Sequence, residues 1–146
     1  MPDIAVKIIN KSSNPLPAYA TAGSSGMDVM AHLPGPVTLH PMERQLIPTG
    51  LFLEIPGGFE VQVRPRSGMA VKYGITCLNT PGTIDADYRG ELKIILVNLS
   101  NTHHTIQPGD RIAQLVAAKV EKISWQPAVT LEETARNQGG FGHTGI

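Results

Sequence analysis

Four short segments bring together residue types that bind or cleave phosphate esters. In Arg64-Pro65-Arg66-Ser67-Gly68 a cation and a hydroxyl stand where an alternating apolar stretch gives way to SGMAVKYG. If a short helix opens there, its free N–H groups, the positive end of its dipole, Ser67 and Arg66 form a phosphate cradle; the plain alternative is a capped helix beside a surface arginine. Residues 79–90, NTPGTIDADYRG, read as two strands joined by a polar hairpin turn. The paired acids do not make a calcium loop, because Arg89 and Leu96 occupy positions where that loop needs oxygen ligands. Asp85 precedes the tip of the turn, so it either only forms the turn or projects from a strand end as a general base. In residues 109–116, GDRIAQLV, alternation sets Gln114 on the face of Ile112 and Val116. An amide there is satisfied by backbone or donates to a phosphate oxygen. Residues 136–146, RNQGGFGHTGI, combine Arg136 and Phe141 with four glycines. This is either a disordered end or a flap whose N–H groups wrap a phosphate while Arg136 adds charge and Phe141 offers a stacking face.

The elements that must position these residues are short strands. Runs rich in β-branched residues at 4–9, 37–39, 51–55, 59–64, 91–98 and 111–124 alternate with Gly- and Pro-rich turns, the spacing of an all-β domain. One short helix fits between Ser67 as N-cap and Gly74 as left-handed C-cap. The β pattern fades after Pro127, so one domain over residues 1–146 with a flexible arm over 127–146 is expected. Other chemistries find no purchase. The match to G-x-G-x-x-G at 140–145 has no strand before it and no helix after it, and no glycine is followed by lysine as a P-loop requires. The histidines at 32, 40, 103, 104 and 143 lack the paired spacing of a zinc site, and Cys77 sits in an apolar run as a small buried side chain.

Composition narrows the partners. Lys plus Arg and Asp plus Glu balance at 12 each, so no overall field draws the chain to nucleic acid or an anionic membrane. Apolar runs such as IILV at 94–97 are far too short to span a bilayer. A single cysteine forms no intrachain disulfide, and MPDIAVKIIN lacks the layout of a secretory signal, so a soluble, cytoplasmic setting is expected.

In this order the segments closely resemble the five motifs of the trimeric dUTPase family. Ala22-Gly23-Ser24-Ser25-Gly26-Met27-Asp28 is similar to the first motif, 64–68 to the second, 82–90 to the third, 109–116 to the fourth and 136–145 to the fifth. The resemblance implies a distorted jelly-roll-like β-barrel or sandwich with one short helix. It implies a homotrimer with active sites at subunit interfaces, the arm of one subunit closing over a site built by the other two. The implied reaction is hydrolysis of dUTP to dUMP and diphosphate, which keeps uracil out of DNA and supplies dUMP for dTMP synthesis. By the same carry-over Asp85 holds and deprotonates the attacking water. Uracil enters the hairpin at Asn79, Gly82, Thr83 and Ile84, Tyr88 packs on deoxyribose, and Lys93 adds a backbone contact. Arg66, Ser67, Gly68 and Gln114 hold the phosphates, Arg136, Gly142, His143 and Thr144 close over them, and Phe141 stacks on uracil. Mg²⁺ is held mainly by the triphosphate, with Asp28 acting through water.

The arm departs from the family at Asn137, where glycine is common, and at His143, where serine is common. Two other functions compete. A dCTP deaminase, related in fold, needs an acid/base group at the position of Ile95, and an aliphatic side chain cannot move protons. A non-catalytic nucleotide-binding or regulatory module would lack the base or the flap, and both are present here.

Overall fold

Short β-branched runs separated by Gly and Pro must find partners far away in the chain. The computed structural model describes residues 2–145, and among these it contains ten strands and one helix. In chain order they are β1 (Lys7–Asn10), β2 (Met27–Met30), β3 (Val37–Leu39), β4 (Arg44–Glu54), β5 (Phe59–Arg64), α1 (Ser67–Tyr73), β6 (Ile75–Cys77), β7 (Gly82–Ile84), β8 (Glu91–Asn98), β9 (His104–Ile106) and β10 (Arg111–Lys119). One antiparallel sheet has the order β1-β4-β8-β6, a second β2-β10-β5-β7, and β3 and β9 form a ribbon. This is the expected jelly-roll-like sandwich. Its core fills with Ile47, Leu51, Ile94 and Leu96 from the first sheet and Val29, Val61, Val63, Ile112 and Leu115 from the second. No helix among the described residues is long and apolar enough to cross a membrane.

Two polar side chains sit in this core, and both tie strands to their surroundings. The Asn98 amide, fully buried, donates to the carbonyls of Leu39 at 2.9 Å and Thr102 at 2.8 Å, and its oxygen accepts from the Ser100 N–H and hydroxyl. Every polar atom of that side chain is therefore satisfied, and the end of β8 is locked to β3 and to the turn before β9. Thr49 lies in a bulge of β4 between Pro48 and Leu51, where it donates to the Leu92 carbonyl at 2.5 Å and accepts from Leu51 N–H at 3.2 Å. The bulge explains why β4 begins seven residues earlier than the 51–55 stretch expected: Pro48 and Gly50 resemble a break, and the ladder absorbs them as an irregularity.

Other departures have similar local causes. Strands β2, β6, β7 and β9 are three or four residues long, too short for alternation to reveal. The helix is where it was expected and Gly74 caps it with φ 67°, but its N-cap is Arg66, and Ser67 is the first helical residue. The Ser67 hydroxyl makes no capping bond, which leaves it available to a ligand. A bulge in β10 between Arg111 and Ala113 turns both Ile112 and Ala113 into the core. Gln114 consequently shares its half-buried face with Val116 and not with Ile112. The turn at 85–88 does join two strands, but β7 pairs with β5 while β8 pairs with β4 and β6, so it is not the paired hairpin expected.

Past Val120, whose N–H donates to Gly58, the described residues form no helix or strand. The single-domain reading also takes in Met1 and Ile146, which lie outside the described residues. Cys77 is buried as expected, and burial pushes its thiol up to about 11, which removes it as a nucleophile near neutrality.

The Asn98 network makes a direct prediction. Asn98→Ala strands two carbonyls and the Ser100 donors in the core, so urea unfolding should show a loss of about 2–4 kcal/mol.

Candidate active site

The divergence of β7 and β8 opens a cleft of about 470 Å³ between their facing edges. Pairing with β6 covers β8 from Leu96 to Asn98, the Leu78 N–H adds a bond to the Ile95 carbonyl at 2.9 Å, and β7 is paired on its β5 side, so the edges that face the cleft before Ile95 keep backbone groups free of ladder partners. Asn79, Gly82, Thr83, Ile84, Asp85, Tyr88 and Lys93 all line it, as expected from the sequence. Asp85 follows the last residue of β7, and the Tyr88 N–H donates to its carbonyl at 3.1 Å, closing the turn. The Tyr88 hydroxyl donates to the Glu91 carbonyl at 2.9 Å, and Arg89 braces the turn by donating to the Ala86 carbonyl at 2.7 Å. Arg89 also lies 3.9 Å from Glu54, whose carboxyl is held below the usual carboxylate range by a hydrogen bond from Lys7. Ile95 lines the same cleft, so the position at which a deaminase needs an acid or base is aliphatic.

A second cleft, of about 360 Å³, lies where β5 runs into α1. Asp28, Arg66, Ser67, Gly68 and Gln114 line it together with Ala18, Ala20, Ser24, Ser25 and Gly26. Register explains the grouping: Gln114 sits opposite Asp28 of β2 on one side and Arg64 of β5 on the other. Asp28 is flanked by two cations. Arg66 Nε lies 3.2 Å from one carboxylate oxygen and Arg111 Nη1 lies 3.8 Å from the other, while Arg66 Nη1 donates to the Arg111 carbonyl at 3.1 Å. Asp28 thus orients Arg66 at the mouth of the cleft. Two arginines against one carboxylate leave the cluster with a positive excess, suited to an anionic ligand.

No residue lines both clefts, and neither includes any residue beyond Gln114. Arg136, Phe141, Gly142, His143 and Thr144 are exposed and lie in neither. Their bonds are local: Arg136 Nε donates to the Gly139 carbonyl at 2.7 Å, and the His143 ring lies against Gly139. Asn137 has φ 47°, in the left-handed region, which accounts for glycine being common there and for asparagine being tolerated. Within one chain, then, the expected site residues fall into three groups that do not meet.

Sequence reasoning passed over Arg111, Thr49 and Glu91. Arg111 stands in the segment quoted for Gln114, and a cation after Gly-Asp was the available signal. Nothing in the spacing marks Thr49 or Glu91, because their roles depend on the β4 bulge. Among the described residues no group of three or more His, Cys, Asp or Glu side chains could hold a metal ion.

A family model described as dUTPase matches residues 12–145. The chain is similar to the deoxyuridine 5'-triphosphate nucleotidohydrolase of Finegoldia magna, 59% identical over 140 residues that span 96% of this chain and 98% of the relative. It is also similar to the enzyme of that name from Fusobacterium nucleatum, 54% identical over 145 residues and 99% of each chain. In fold it resembles a dUTPase of Staphylococcus bacteriophage 80alpha solved with dUpNHpp, at a TM-score of 0.86 and 23% identity over 97% of this chain and 99% of that one.

The second cleft depends on a close approach at Gly26, where an added Cβ would lie 2.9 Å from Gln114 Oε1 and 3.2 Å from Val116 Cγ2. Gly26→Ala should therefore displace the Gln114 amide and weaken binding of inorganic pyrophosphate by roughly tenfold, while stability changes by less than about 1.5 kcal/mol. Calorimetric titration and urea unfolding check the two halves of that expectation.

Proposed function

The chain belongs to the dUTPase family, and on that premise we propose how it hydrolyses dUTP to dUMP and diphosphate. The observation that carries the reading is the cleft between β7 and β8, where unpaired backbone edges and Asn79 face one another beside the Asp85 carboxylate. Uracil occupies this gap as a surrogate strand, with its carbonyls and N–H meeting the free backbone groups of residues 82–84 and 93 and the Asn79 amide. Cytosine reverses the donor pattern at its exocyclic position and leaves buried groups unpaired, a mismatch that discriminates more strongly than shape. Tyr88 packs on the deoxyribose where a 2′-hydroxyl would need room.

Asp85 holds a water in line with the α-phosphorus and accepts its proton as the new P–O bond forms and the bond to the bridging oxygen breaks, releasing diphosphate. Arg66, Ser67, Gly68 and Gln114 hold the phosphate chain through the guanidinium, the uncapped hydroxyl, the first-turn N–H and the amide. Charge neutralisation and positioning are the main contributions to rate.

The donor set bears on the metal. Since no three side chains cluster to hold a metal among the described residues, Mg²⁺ would be held chiefly by the triphosphate and water, as expected of an ion that gives up water reluctantly. When bound, Mg²⁺ neutralises phosphate charge. Asp28, flanked by Arg66 and Arg111, would meet it through water.

The separation of the residues into three groups supports a homotrimer in which one subunit supplies the uracil cleft, the next the phosphate cleft and the third the arm. The segment past Val120 exposes Ile123, Trp125, Val129, Leu131 and Phe141, a set of large apolar side chains that gains from burial on another subunit. Residues 127–146 then act as the closing element: Phe141 stacks on uracil, and Arg136, Gly142, His143 and Thr144 enclose the phosphates. A cytoplasmic location accords with this chemistry, since deoxynucleotides are its substrates.

Asp85→Asn tests the reaction and its base together. Diphosphate release from dUTP with Mg²⁺ should fall about 10²- to 10⁴-fold, with binding of a non-hydrolysable dUTP analogue within about threefold of wild type. Release at the wild-type rate would remove Asp85 as the base.

A further inference from the structure

Glu91 is the first residue of β8 and lies just outside every segment that the sequence marked for chemistry. Its side chain does something unusual for a strand residue. In the ladder Pro48 faces Lys93 and Leu51 faces Leu92, so Thr49 and Gly50 have no partners on β8. The Gly50 N–H is instead taken by the Glu91 carboxylate, with Oε2 accepting at 3.0 Å. A charged acceptor on a backbone N–H makes a short-range tie stronger than a neutral one. The other side of Gly50 is held too, its carbonyl accepting from the Lys11 N–H at 2.8 Å. The carboxylate of Glu91 is thus clamped to a bulge residue whose carbonyl is also bound.

The main chain of the same residue faces the uracil cleft. The Glu91 carbonyl accepts the Tyr88 hydroxyl at 2.9 Å. Tyr88 is half exposed and folded back across its own turn, with the ring against Gly90 so closely that a side chain there would collide with the hydroxyl and ring carbons. On one face the ring is backed by Gly90, and at its tip it is held by one hydrogen bond. The position of that ring is therefore set by where the Glu91 carbonyl points, and Glu91 is held both by its pairing with Phe52 of β4 and by its carboxylate on Gly50.

We propose that Glu91 is a positioning residue for sugar selection, acting through Tyr88: by binding the Gly50 N–H across the β4 bulge, it fixes the Tyr88 ring at the depth that admits deoxyribose and rejects ribose. The proposal rests on the reading of Tyr88 as the sugar platform. Glu91 itself touches neither substrate nor the reacting atoms. Losing its tie lets the start of β8 and the tyrosine relax outward, which relaxes exclusion of a 2′-hydroxyl before it affects the Asp85 chemistry.

The experiment is the ratio of kcat/KM for dUTP to that for UTP in the full-length protein with Mg²⁺. Wild type is compared with Glu91→Ala, Glu91→Asp and Glu91→Gln. Ala removes the acceptor. Asp keeps the charge but draws the carboxylate back by one methylene, and Gln retains an oxygen within reach of Gly50. The ratio should fall about tenfold or more in the Ala and Asp variants and recover to within about threefold of wild type in Gln, with most of the change in KM for UTP. A merely structural role would lower activity on both nucleotides together and leave the ratio unmoved, and that result overturns the proposal. It is also overturned if Gln is as damaged as Ala. The Asp variant carries the test if Ala fails to fold. A wild-type protein with no preference for dUTP over UTP would instead overturn the underlying reading of Tyr88, an outcome visible before any variant is made.

Discussion

The structure turns on two neighbouring strands that do not pair with each other. A turn of four residues, 85–88, would ordinarily close a hairpin, and the hydrogen bonds along it would consume every backbone group on the facing edges. Here β7 is claimed by β5 of one sheet and β8 by β4 of the other. The turn is stretched across the sandwich, and the gap beneath it cannot be filled by the chain itself. Unpaired N–H and C=O groups in a narrow cleft are costly unless something pairs with them, which suits the cleft to a planar ligand with alternating donors and acceptors. Asp85 stands at the lip because it is the first residue past the last β5 pairing, so the register of one three-residue strand decides where that carboxylate lies.

Much of the fold was legible in the sequence, and the exceptions share a cause. Strands of six or more residues with a clean alternation, such as Phe59–Arg64 and Glu91–Asn98, could be placed because Val61, Val63, Leu92 and Ile94 repeat every second position. Strands such as Gly82–Ile84 and Ile75–Cys77 contain too few residues to show a period, and their existence depends on partners far along the chain. Bulges defeated alternation twice. One lengthened β4 through Pro48, and the other separated Gln114 from Ile112 and turned the amide toward the phosphate cleft. In the site, most residues recognised by type and order line two clefts, and those of the arm lie in neither. Those whose role depends on the bulge geometry, Thr49 and Glu91, carry no sequence signal because a threonine or a glutamate at a strand end is ordinary.

What one chain does not do is as informative as what it does. The cleft between β7 and β8 and the cleft at the start of α1 have no residue in common, and among the described residues the segment past Val120, with Arg136 and Phe141, bonds only to itself. A chain of this size can support one core, and its surface has to carry the parts of a site much larger than any single cleft. In the homotrimer proposed above, each surface would be used three times, and the exposed apolar side chains past Val120 would gain a place to bury. Under that proposal catalysis and assembly depend on the same contacts.

The central claim is that a working site takes its uracil cleft and its phosphate cleft from different subunits. It is tested most directly by mixing two inactive variants, Asp85→Asn and Arg66→Ala, unfolding and refolding them together, and measuring diphosphate release from dUTP. Random assembly of equal amounts should restore about a quarter of wild-type activity, the share of sites in a symmetric ring that draw an intact cleft from each kind of subunit. A mixture no more active than its components, although trimeric, would contradict the account, because both defects would then lie within a site that one chain builds alone.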